Sequence, residues 1–93
     1  MKEAAVLTIQ QVSFIKPDIE ERIIEIMRNL FVVESYMIIN EASLIDDLGV
    51  DSLDIYEMIM TLEREFHIRI PDGDAEKLVT VGSVVKYVER KLR

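Results

Sequence analysis

Apolar residues recur at helical spacing in three separate stretches of this chain, and that period limits its fold more than any other feature. In the first stretch Ile19, Ile23, Ile26, Met27 and Leu30 stand at i, i+4, i+7, i+8 and i+11, one stripe along a helix. Lys16-Pro17-Asp18 precedes it, and proline ahead of an acid suits a helix start. Glu20 and Glu21 in the first turn and Arg28 near the end complement the helix dipole. The second stretch follows Gly49, with a helix expected to begin at Asp51 or Ser52. Asp51 can cap it, and Asp54, three residues on, can return the bond as a capping box. Ile55, Met58, Ile59, Leu62 and Phe66 then share one side and are expected in the core. The third stretch runs from Thr80, the expected cap, to Leu92, with Val81, Val84, Val85, Val88 and Leu92 as its stripe. Its β-branched residues and Gly82 are poor helix formers, so packing must hold it.

Between the second and third stretches, Pro71-Asp72-Gly73-Asp74-Ala75-Glu76-Lys77 has room for one capped turn. No strand pattern competes across residues 17–93. The expected fold is therefore all-α, a small antiparallel bundle of three main helices plus one short helix. Residues 17–93 form the expected domain, and residues 1–16 an N-terminal extension of uncertain structure. Within the extension Leu7/Ile9 and Val12/Phe14 alternate like a strand, while Ala5, Ile9 and Val12 fit a helix. With 93 residues the chain can bury only one modest core, so apolar positions are structural by default.

The chain has no cysteine, which excludes disulfides, thiolate metal sites and cysteine nucleophiles. Its apolar runs are too short for a membrane span, and its N-terminus does not read as a secretory signal. The cytoplasm is the expected location, with no membrane partner and a monomeric state. Net charge is −7, and placement matters more than size. From Glu41 to Phe66 there are eight acids and one base, Arg64, so the rest of the chain is neutral overall. Such a surface repels nucleic acid and attracts basic protein surfaces. The bland reading is an acidic face kept for solubility.

By the same angular count, Leu53, Tyr56 and Met60 project from the outer side of the second helix, beside Glu57 and Arg64. Either another segment, the extension or the 31–45 loop, covers them, or they form a docking face on which acids steer and apolar groups bury. Ser52 sits at the head of this helix, where N–H groups and the dipole favour a phosphate, although a serine there is usually a cap or first-turn residue.

The run Asp47-Leu48-Gly49-Val50-Asp51-Ser52-Leu53-Asp54 resembles the phosphopantetheine attachment motif of acyl carrier proteins. The likeness covers about residues 17 to 92: Pro17–Leu30 looks like that family's first helix, Leu62–Ile70 with Pro71–Lys77 like the stretch ending in its short third helix, and Thr80–Leu92 like its last. The resemblance implies that Ser52 accepts 4′-phosphopantetheine from coenzyme A through a separate phosphopantetheinyl transferase. The arm's thiol would then hold acyl groups as thioesters for fatty acid, polyketide or related lipid biosynthesis. It also implies that Asp51, Leu53, Asp54, Glu57, Met60 and Glu63 face partners, which would be acyl-transfer and chain-elongating enzymes with basic docking surfaces. In such proteins the acyl chain can retreat between helices.

Departures from the family pattern are Arg64 at a usually acidic position, the bulk of Tyr56, the apolar connection Phe31–Ile39, and the extension, which is expected to pack on that connection. Rival functions fare less well. A serine hydrolase needs a base and a Gly-x-Ser-x-Gly elbow, yet the only histidine is His67, expected on the surface at a helix end, and the elbow is missing. Asp46-Asp47 and Asp72-Gly73-Asp74 lack the spacing of a calcium loop, so no metal site is expected. A peptidyl or aminoacyl carrier, or an unmodified interaction module of the same fold, remains as the alternative.

Overall fold

The computed structural model describes residues 19–93; the expected start at Pro17-Asp18 and every expectation for residues 1–16 fall outside them. Four α-helices follow in order: α1 (Ile19–Leu30), α2 (Ser52–Phe66), α3 (Asp72–Ala75) and α4 (Val81–Lys91), with a 3-10 turn at Ser35–Met37. No strand occurs among the described residues, apart from one isolated antiparallel bridge between Ser43 and Thr80. Three long helices and one short one match the expected bundle.

α1 packs on both α2 and α4. Arg22 near the start of α1 pairs with Glu65 at the end of α2, Nη2 to Oε1 at 2.6 Å, and its guanidinium lies over the Phe66 ring. The two helices therefore run antiparallel. With both partners over a third exposed, the pair sets register more than it adds stability. The centre of the core comes from all three long helices: Ile23 and Met27, Met58 and Leu62, and Val81, Val84 and Val88 are fully buried. Ile55, Ile59 and Phe66 pack against them, half-buried. No polar or charged residue is buried among those described.

The connection from Phe31 to Val50 belongs to the core as much as the helices do. Phe31, Ile38, Ala42, Leu44, Leu48 and Val50 are all buried along it, which accounts for part of its apolar content, while Val32, Tyr36, Ile39 and Ile45 stay exposed. Residues 40–44 lie against the head of α4 through three backbone bonds: Leu44 N–H to the Val79 carbonyl, Val81 N–H to that of Ala42, and Gly82 N–H to that of Asn40. Together with the Thr80–Ser83 capping box, these satisfy the donors that a helix start leaves open. A Cβ on Gly82 would stand 3.1 Å from the Asn40 carbonyl oxygen, so the poor helix former is what lets the connection approach.

Leu92 is a correction. It is the C-cap of α4 and is 42% exposed, because the stripe has run past the last turn that meets a neighbour. Tyr87, absent from the expected stripe, is buried instead and donates a 2.7 Å hydrogen bond from its phenol to Asp74 Oδ2 on α3. Burial, reinforced by that bond to a carboxylate, pushes the phenol up from 10.0 to about 12. The folded state thus holds a proton that the unfolded chain releases near its ordinary value. The contribution is complete below pH 10.0 and is lost as pH climbs through about 12. Urea midpoints should show Tyr87→Phe less stable than the parent at neutral pH, with the gap closing over that alkaline window.

Candidate functional site

The head of α2 is built by a tight acidic turn and a reciprocal cap. Asp47 N–H and Leu48 N–H both bond to the Ser43 carbonyl, while Asp47 Oδ2 accepts from Ser43 N–H at 2.7 Å. Leu48 and Val50 bury their side chains, and Gly49 between them adopts φ +70°, a left-handed conformation that a side chain resists. Asp51 is the N-cap: its Oδ1 accepts from Asp54 N–H at 2.9 Å, and Asp54 Oδ2 accepts from Asp51 N–H at 3.1 Å.

Because Asp51 does the capping, Ser52 has no structural task. It is the first helical residue, it is exposed, and its Oγ bonds to no described residue. The backbone N–H groups of Ser52 and Leu53 likewise find no acceptor among the described residues. Two open donors on the axis of a fifteen-residue helix favour a phosphate beside that hydroxyl. His67 ends the same helix, about 22 Å away along its axis. There it is exposed and takes the left-handed C-cap conformation at φ 56°. It cannot serve Ser52 as a base.

Below this head the outer side of α2 is open. Leu53, Tyr56 and Met60 are 63%, 59% and 41% exposed, so the 31–45 connection does not cover them. Glu57 beside them is exposed, as is Arg64. Glu63 is half-buried: its Oε2 accepts from Ile70 N–H at 2.8 Å, and its carbonyl accepts from His67 and Ile68 N–H, closing the end of the helix.

A feature unread in the sequence lies one turn along from Ser52. Leu44, Ile45, Ile55, Ala75, Leu78 and Val79 line an open cleft of about 340 Å³, with Glu76 at its edge. Leu44-Ile45 and Leu78-Val79 are adjacent apolar pairs. In each pair the first residue enters the core and the second stays exposed beside the cleft. That doubling was the one sequence signal for it. No group of three acidic or histidine side chains suited to a metal occurs among the described residues.

A family model for the phosphopantetheine attachment site matches residues 21–88, from α1 into α4. The chain belongs to that family and is a carrier of covalently attached 4′-phosphopantetheine. The turn, the cap and the exposed serine all lie inside the matched span. An outward hydroxyl flanked by open N–H donors fits a phosphodiester arm.

Two substitutions separate the parts of this head. Gly49→Ala meets no atom within 4 Å, so it should cost only backbone strain, about 1 kcal/mol, read as a thermal midpoint about 4–8 °C lower. Asp51→Asn keeps a capping oxygen and should leave the midpoint nearly unchanged, whereas Asp51→Ala should cost about 1 kcal/mol.

Proposed function

We propose that this chain is an acyl carrier protein whose arm is esterified to Ser52 and whose cargo is a hydrocarbon acyl chain. The observation that carries the assignment is Ser52 itself, exposed, unbonded and placed at the first turn of α2 while its neighbour Asp51 performs the cap. The attached group supplies a terminal thiol, which the chain lacks, and holds cargo as a thioester. The chain's own residues orient and present it. Ser52 and Leu53 N–H groups face the phosphate position, and the α2 dipole offsets its charge. Catalysis is left to partner enzymes: the imidazole of His67 stands at the opposite end of the helix.

The cleft beside Ile55 supports an acyl cargo over an aminoacyl one. Its lining is apolar except for Glu76, and each methylene moved there from water gains about 0.8 kcal/mol. Docking falls to the outer face of α2. Leu53, Tyr56 and Met60 supply area to bury, and Asp51, Asp54, Glu57 and Glu63 supply negative potential toward a basic partner. Among these acids Glu57 is the clean probe of steering, because Asp51, Asp54 and Glu63 also hold backbone N–H groups.

Incubation with a broad-specificity phosphopantetheinyl transferase and coenzyme A should raise the intact mass by one phosphopantetheine, and Ser52→Ala should abolish that gain. An unmodified parent chain would leave an interaction module of the same fold. Glu57→Lys should slow loading at low salt with little change in thermal midpoint, and the difference should shrink as salt rises. Loading kinetics indifferent to both would remove the steering role.

A further inference from the structure

We infer that the cleft between α3 and α4 is a second docking surface, one that takes an acidic segment of a partner protein. Lys77, Lys86 and Arg90 line this cleft of about 400 Å³. Lys86 and Arg90 stand one turn apart on α4, and Lys77 comes from the turn after α3. All three are exposed, and none forms a salt bridge with a described residue. The one acid in the lining is Asp74, whose Oδ2 accepts from the Tyr87 phenol. Three positive charges therefore meet one negative charge there.

Charge along the chain sets this face apart. Residues 77–93 hold five bases and one acid, Glu89, so they carry +4, while the rest of a chain of net charge −7 carries −11. Glu89 lines the neighbouring cleft with Glu20 and Glu41, and Lys86 stands on the border between the two. Solubility needs no such sorting, because the acids already supply net charge. An acidic protein segment fits in sign and in spacing. Carboxylates at i and i+4 of a partner helix stand about 6 Å apart, the spacing of Lys86 and Arg90. A bilayer or nucleic acid of negative charge would also meet the acidic remainder of the chain, and a second copy would bring its own charge of −7. A single segment entering the cleft meets its positive wall at close range, where screening is weakest. No residue of α2 lines the cleft. On the carrier reading above, on which this last step alone rests, an acidic partner can hold the chain while Ser52 and the outer face of α2 meet a basic one.

The probe is a short rhodamine-labelled helical peptide with glutamates at i and i+4 and no base. A twin with glutamine at those positions is the blank. With the unmodified chain at low salt, anisotropy should rise for the glutamate peptide alone, and amide shifts in the isotope-labelled chain should centre on residues 74–90. Lys86→Glu with Arg90→Glu should weaken binding severalfold. Arg28→Glu with Arg69→Glu changes net charge equally at exposed sites off the cleft, and should weaken it far less. Circular dichroism checks both folds, and Lys86→Gln with Arg90→Gln takes the place of the reversal if that pair unfolds α4. Absence of peptide binding at low salt, or equal losses in the two charge-matched pairs, overturns the inference. Binding to phosphatidylserine vesicles instead of the peptide overturns it in favour of a membrane surface. Self-association that Lys86→Glu with Arg90→Glu abolishes overturns it in favour of a second copy. Phosphopantetheine loading of Ser52 is read separately by mass, so neither result decides the other.

Discussion

A helix start leaves N–H groups that no turn of the helix can satisfy, and the way α4 solves that problem organises the rest of the molecule. Val81 and Gly82 donate to the Ala42 and Asn40 carbonyls, and Leu44 donates back to Val79. Those bonds pin the long connection at its middle, so that Leu44 enters the centre of the core and the chain turns through Leu48 and Val50 toward α2. A twenty-residue connection without such anchoring would leave the start of α2 poorly fixed. Gly82 is the condition for it, because a side chain there would press on Asn40. Helix propensity is given up at one residue, and the position of Ser52 is gained.

The acids of α2 divide their work in a way that net charge conceals. Asp51 and Asp54 complete each other's cap, and Glu63 draws the chain reversal at the helix end around itself. Removing any of them changes local structure and surface potential together. Glu57 alone among the α2 acids proposed for docking makes no such bond among the described residues. The acidic face is thus partly scaffolding that happens to be charged.

What could be read in the sequence was local. Stripes at i, i+3 and i+4, the Asp51–Asp54 capping box, the Thr80 cap and the short α3 turn depend on residues a few positions apart, and they were legible for that reason. The burial of Phe31, Ile38, Ala42, Leu44, Leu48 and Val50 was not, since it follows no period and is decided by contacts with α4 distant in sequence. Leu92 shows the converse error: a stripe continues in sequence past the last buried turn of the helix, which ends at Val88. Tyr87 was missed because its burial depends on Asp74, thirteen residues away, to satisfy the phenol. The apolar cleft beside Ile55 went unseen because it is assembled from the loop before α2, one residue each of α2 and α3, and the loop after α3.

The motif placed Ser52 but could not say whether its hydroxyl was free, since a serine in that position is ordinarily part of the helix cap. The geometry decides this through its neighbour. With Asp51 bonded to Asp54 N–H as the cap, the serine oxygen bonds to no described residue and is exposed beside two open N–H groups. Such a hydroxyl is accessible, and the imidazole of His67 lies a full helix length away from it. For a tether this combination is the useful one. A base poised beside a serine could assist attack on a phosphate or thioester held at it, whereas on the reading proposed for Ser52 the oxygen only has to hold what it is given.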